Sequence, residues 1–183
     1  QHLHKLLKAG HRVAICEQVE DPKFAKGIVK REVVEVISPG TAMSDRYLEQ
    51  NENNYLCAVV LENQKCGIAI LDHSTGEFQT CSRNQSALLS IIKQFHVSEV
   101  IIPEDQEKEF LVLMQGEVMF TTQIPDWCKT FDSAYETLTS FFNVSTLKGY
   151  GIEEDPLAVA SAGCALYYVN QNFKGRIQHI TSL

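Results

Sequence analysis

Tyr55-Leu-Cys-Ala-Val-Val-Leu61, Glu62-Asn-Gln-Lys65, Cys66-Gly-Ile-Ala-Ile-Leu71, Asp72-His-Ser-Thr-Gly76 and Glu77-Phe-Gln-Thr-Cys81 follow one another without a break. Three runs of strand length are separated by two short polar turns, the second ending in glycine. Turns this short join antiparallel neighbours, so the stretch predicts a three-strand antiparallel meander.

Downstream the pattern changes period. Asn84 is placed to cap a helix in which Leu88, Ile91, Ile92 and Phe95 recur at i, i+3, i+4 and i+7, one apolar face for the sheet. Val97–Ile102, stopped by Pro103, reads as a short buried strand. A helix at about 105–115 then leads to a fifth strand at Glu117–Gln123. A meander followed by alternating helix and strand is an α/β layer with a mixed sheet. Ser133-Ala-Tyr-Glu136 has the spacing of a capping box and opens a helix through Phe141. Asp155-Pro156 starts the last helix. Its Leu157, Ala160, Cys164 and Tyr168 share one face, with Val159, Ala162, Leu166, Val169 and Phe173 nearly opposite. Apolar on both sides, it belongs between neighbours, and Ala160-Ser-Ala-Gly163 permits close approach.

Upstream, His2–Ala9 reads as the end of a helix stopped by Gly10, with no capping residue before it, as in a piece of a longer protein. Strands at Arg12–Val19 and Ile28–Ile37 flank the loop Glu20–Gly27, and Ser38-Pro39-Gly40-Thr41 supplies turn chemistry. This helix–strand–strand stretch is too small to build a core alone and reads as the remnant of an α+β domain. The expected division is 1–41 for the remnant, 42–54 for a polar linker and 55–183 for the α/β domain.

Composition narrows the function. The 183 residues are 44% hydrophobic and 21% charged, ordinary for a folded soluble protein. No apolar run approaches the roughly 20 residues that span a bilayer, and no secretory signal opens the chain. The six cysteines lack CxxC pairing, five of them within apolar or strand-like stretches. That suits free, mostly buried thiols and a cytoplasmic location. The net charge is −7, yet residues 1–31 hold Lys5, Lys8, Arg12, Lys23, Lys26, Lys30 and Arg31 against Glu17, Glu20 and Asp21. Any nucleic-acid contact therefore belongs to that basic piece, where Lys23, Lys26, Lys30 and Arg31 bracket a glycine-containing loop and are the candidates for phosphate contact.

No GxxxxGK[ST] loop is present, and Gly149-Tyr150-Gly151 reads as a turn. The six histidines show no zinc-ligand spacing. The element order is also that of ribonuclease-H-like folds, which makes a metal-dependent nuclease using Asp72 the alternative. Two-metal chemistry needs three or four converging carboxylates. The first meander strand carries none, Glu62 lies beyond its end, and Glu99 and Asp126 sit at other element edges. Asp72 reads better as the opening of an Asx or type I turn.

Longer blocks identify a family. Leu6-Leu7-x-x-Gly10-x-Arg12-Val-Ala-Ile-Cys-Glu-Gln18, Asp21-Pro22, Lys26-Gly27-x-Val29-x-Arg31-x-Val33-Val34 and Ser38-Pro39-Gly40-Thr41 resemble the end of the mismatch-binding domain of MutS proteins. The resemblance continues through Asn54-Tyr-Leu, Leu71-Asp72-x-Ser74-x-Gly76-x-Phe78, Gly149-Tyr150-Gly151 and Ala162-Gly163-Cys164-Ala165-Leu166. It implies a mismatch-repair ATPase, represented here by the end of domain I and by the connector, domain II. The family's connector is a ribonuclease-H-like fold without nuclease activity. It links the mismatch-reading domain to the lever and ATPase domains and is implicated in docking MutL. The resemblance further implies that the whole protein uses ATP and Mg, binds mismatched duplex DNA and forms a homodimer. The family's mismatch-stacking Phe-x-Glu is not found in residues 1–41, and the Walker motifs are expected beyond Leu183. For MutL the expected contact is the opening turn of the Ser133 helix, through Ser133, Glu136 and Thr137.

Overall fold

The computed structural model describes residues 2–23, 27–42, 53–173, 177 and 179–183. Helix α1 (His2–Lys8) precedes strands β1 (Val13–Gln18) and β2 (Arg31–Ile37), which pair antiparallel with Val13 opposite Ile37 and Gln18 opposite Arg31. Gly10, at φ 79°, ends the helix in the left-handed region, as its position predicts. Leu7, Ile37 and Ala42 are buried there, with Leu3, Val13 and Ile15 against them. Both strands are shorter than their apolar spacing suggests, and Ile28 is fully exposed ahead of β2.

The meander forms as expected: β3 (Tyr55–Glu62), β4 (Lys65–Asp72) and β5 (Glu77–Asn84). β6 (Glu99–Pro103) and β7 (Thr121–Ile124) complete a five-strand sheet in the order β5-β4-β3-β6-β7. The meander pairs are antiparallel, whereas β3–β6 and β6–β7 are parallel. The unbroken apolar run of β3 has a simple cause, since the sheet is buried on both faces. Leu56, Ala58 and Val60 point into one core with α4 (Phe131–Phe142) and α5 (Pro156–Phe173). Cys57, Val59 and Leu61 point into the other, with α2 (Leu88–Gln94) and α3 (Glu107–Leu113).

α5 occupies the position its two apolar faces demand, between the sheet and α4. Asp155 caps it, its Oδ1 accepting from the Ala158 amide at 3.1 Å and its Oδ2 from the Ser82 hydroxyl at 2.7 Å. Two glycines set the spacing. A Cβ on Gly67 would lie 2.0 Å from the Leu157 carbonyl oxygen, and one on Gly163 would lie 2.4 Å from the Ala134 Cβ.

Three local expectations are corrected. α4 begins at Phe131 with Thr130 at its N-cap, so Ser133 lies inside the first turn and does not cap. The turn Asp126–Lys129 delivers the chain to the helix earlier than the capping-box spacing implied. The fifth strand starts at Thr121 rather than Glu117, because Gln115 and Gly116 turn through positive φ and leave Val118 wholly exposed. Asn84 ends β5 and heads a short 3-10 turn, Gln85–Ala87, without a side-chain cap bond.

Candidate functional site

In α/β sheets, ligands and metals gather at the carboxyl ends of parallel strands. That edge of β3, β6 and β7 is filled by the chain itself. β6 pairs with β3 only from Leu56 to Ala58, and farther along β3 the side-chain amide of Gln106 takes over. It donates to the Leu61 carbonyl at 2.7 Å and accepts from the Leu61 amide at 2.8 Å. Next to it, Asp126 Oδ1 accepts the Asp105 amide at 2.9 Å, and the Lys129 ammonium pairs with the Asp105 carboxylate. The Lys129 hydrogen bond holds the Asp105 carboxyl below the usual carboxylate range, with burial opposing it. Among the described residues no three His, Cys, Asp or Glu side chains gather to hold a metal ion.

Asp72 lies at the opposite edge, since antiparallel pairing sets it beside Tyr55 at the start of β3. Its Oδ1 accepts from the Ser74 amide and hydroxyl, both at 2.7 Å, the Asx turn its sequence context predicts. Its Oδ2 accepts the Asn54 amide at 3.4 Å. The nuclease alternative is therefore not favoured: Asp72 is committed to a turn, and it stands across the sheet from the parallel carboxyl edge.

Sequence reasoning missed what occurs beside it. Glu99, paired in register with Leu56 on the other flank of β3, is fully buried. Its Oε2 accepts from the Ser38 hydroxyl and, at 3.0 Å, from the Gly40 amide. Its Oε1 accepts from the Thr122 hydroxyl at 2.7 Å and the Tyr168 hydroxyl at 2.6 Å. Burial, followed by the Glu99 charge, pushes the Tyr168 phenol well above its ordinary value, while Arg12 lies 5.8 Å from the centre of that ring. Asn54 braces the same stretch, donating to the Pro39 carbonyl at 2.7 Å and the Ala42 carbonyl at 3.0 Å. A carboxylate heading an apolar run signals that it needs partners, but these lie 59 to 69 positions away for Gly40 and Tyr168.

Of the candidate phosphate contacts, Lys26 lies outside the described residues. Lys30 is exposed and ion-paired with Glu32 at 2.6 Å, which raises the ammonium pKa. Arg31 is exposed at the start of β2. On α4, Glu136 is exposed while Ser133 and Thr137 are half-buried, the Thr137 hydroxyl donating to the Ser133 carbonyl at 2.8 Å. Composition gave no hint of the aromatics around them. Trp127 is 53% and Phe131 39% exposed, Trp127 edge-on to Tyr167 and Phe131 beside Tyr135.

The cysteines are free: Cys57, Cys66, Cys128 and Cys164 are buried, Cys81 is half-buried and Cys16 exposed. Burial pushes the Cys66 and Cys128 thiols up to about 11, so neither is a ready nucleophile. No helix among the described residues is long and apolar enough to cross a membrane.

The family models for MutS domain I and MutS domain II match residues 1–46 and 54–181. Relatives named DNA mismatch repair protein MutS include those of Flavobacterium johnsoniae, 43% identical over 182 residues, and Flavobacterium psychrophilum, 40% identical over 182, both covering 100% of this chain. That of Cytophaga hutchinsonii is 39% identical over 180 residues, or 98% of this chain. The chain spans 21% of the length of each of these relatives. With domain II matched across the whole five-strand sheet and domain I across the helix–strand–strand unit, the chain belongs to the MutS family of DNA mismatch repair proteins.

Proposed function

We propose that this chain is a non-catalytic connector within a longer MutS protein, joining mismatch recognition to lever and ATPase domains elsewhere in that protein. The observation that carries the non-catalytic reading is the filled carboxyl edge, where Gln106 and Lys129 occupy the place a two-metal centre would need. The strand order, antiparallel for the meander and parallel beyond it, supports the ribonuclease-H-like arrangement. ATP and Mg then act outside these residues, in a cytoplasmic protein that works as a homodimer on mismatched duplex DNA. Incubating the chain with Mg²⁺ or Mn²⁺ and RNA, DNA or hybrid duplexes should yield no cleavage. Cleavage that Asp72→Asn abolishes would restore the nuclease alternative.

In the whole protein, Lys26, Lys30 and Arg31 are proposed to touch DNA phosphates, Lys30 with its charge partly offset by Glu32. Replacing Arg31 with Ala should weaken binding uniformly across sequences and reduce the salt slope by about one. A change in mismatch preference would count against a phosphate role.

MutL docking is proposed at the start of α4, through Ser133, Glu136 and Thr137. The exposed Trp127 and Phe131 beside them support this, because aromatic side chains are enriched at protein interfaces and Trp among their energetic hot spots. Thr137→Arg adds bulk and charge without touching the Thr130 cap, and its long stem can reach solvent from a half-buried position. It should weaken capture of MutL by the whole protein while thermal stability and mismatch binding stay nearly unchanged. Unaltered capture would move the docking surface off this turn.

A further inference from the structure

We infer that Glu99 is the joint that fastens the helix–strand–strand unit to the five-strand domain, so that displacement of one is carried directly into β6, β7 and α5 of the other. The four groups donating to its carboxylate come from three separate parts of the chain. Ser38 and Gly40 belong to the segment leaving β2, Thr122 to β7 and Tyr168 to α5. The approach is as close as the backbone allows, since a Cβ on Gly40 would lie 2.6 Å from the Glu99 Cβ and 3.0 Å from its Oε2. Only a glycine amide reaches the carboxylate here. Arg12 adds a second link from β1's leading edge by lying over the Tyr168 ring. The seam is closed to bulk solvent: Ile37, Ser38, Thr41 and Ala42 are all buried.

A buried carboxylate is tolerated only when its oxygens are fully supplied with donors, and a partly supplied one is worse than none. The Glu99 site therefore has two self-consistent arrangements, closed with all four donors in place, or open with water substituting for Ser38 and Gly40. Intermediate displacements leave a charge short of partners and are disfavoured. That makes the joint stiff under small motions, the property required of a part that relays position. The relay itself rests on the connector reading, but the stiffness is a property of these residues. Stiffness is measured on the 183-residue chain without DNA or MutL, so the two can fail separately.

Amide hydrogen exchange is the test. Glu99→Ala should raise exchange in β1, β2 and Ser38–Ala42 by about 10–100-fold, the equivalent of lost charge-assisted hydrogen bonds. The β3, β4 and β5 amides should stay within about twofold of the parent chain. If Glu99→Ala fails to fold, the double substitution Ser38→Ala with Tyr168→Phe removes two donors and keeps the carboxylate, and should give the same localised pattern. Glu99→Gln, which keeps the shape and an acceptor for the Gly40 amide, should give a smaller rise confined to the same residues. An equal rise in both units would overturn the inference, making Glu99 an ordinary core residue. So would unchanged exchange in β1 and β2.

Discussion

Gly67→Ala should lower the melting temperature by about 6–12 °C, corresponding to about 3 kcal/mol in a chain of this length. The added methyl would sit 2.0 Å from the Leu157 carbonyl oxygen and 2.6 Å from its carbon, both backbone atoms of the first turn of α5. Side chains can rotate away from such a contact, but a helix carbonyl cannot. α5 cannot retreat as a whole either, because at Gly163 it packs tightly against Ala134 on α4, where a Cβ would lie 2.4 Å from the Ala134 Cβ. Gly149→Ala is the matched control, with open space around its Cβ position and no left-handed φ. It should leave the melting temperature within a degree or two or raise it slightly. Equal effects at the two positions would mean that the α5–β4 spacing is not what holds this layer together.

The second large effect depends on pH. His73 is 1% exposed, and burial lowers its pKa to about 4, helped by the nearby His179 and opposed by Asp72. A base whose folded pKa lies below its unfolded value of about 6.5 resists protonation only when folded. Its contribution is therefore fully present above about pH 6.5 and is lost as pH falls through 6.5 toward 4. The total is about 3 kcal/mol. Urea unfolding at half-unit intervals should show this decline in the parent chain. His73→Phe should flatten the same interval, leaving only the carboxylate contribution at lower pH. Parallel declines in the two proteins would assign the acid sensitivity to other groups.

The parts of the molecule that were legible in the sequence are those decided by neighbours in the chain. Continuous apolar runs joined by Glu62–Lys65 and Asp72–Gly76 require antiparallel pairing, and the structure has it. The two apolar faces of α5 require burial on both sides, and Leu157, Val159, Ala160, Ala162, Cys164, Leu166 and Val169 are all buried there. Ser74 confirms Asp72 as a turn residue over a distance of two positions. Errors began where another element, rather than the local residue pattern, set the boundary. Ser133 and Glu136 have capping-box spacing, yet the preceding 3-10 turn brings Thr130 to the cap first. Glu117–Phe120 has strand-like composition, but β6 pairs only with Thr121 onward. Glu99 was visible as a carboxylate and illegible as a joint, because three of its four donors lie more than 50 positions away.

That separation also orders events during synthesis. Ser38 leaves the ribosome 130 residues before Tyr168, a delay on the order of ten seconds at ordinary elongation rates. The meander, with its short turns, can close as soon as it emerges. The first unit must meanwhile wait beside a half-built partner, its buried seam still wet. Only when α5 has emerged can the Tyr168 hydroxyl reach Glu99, so full attachment of the first unit comes after the meander has closed.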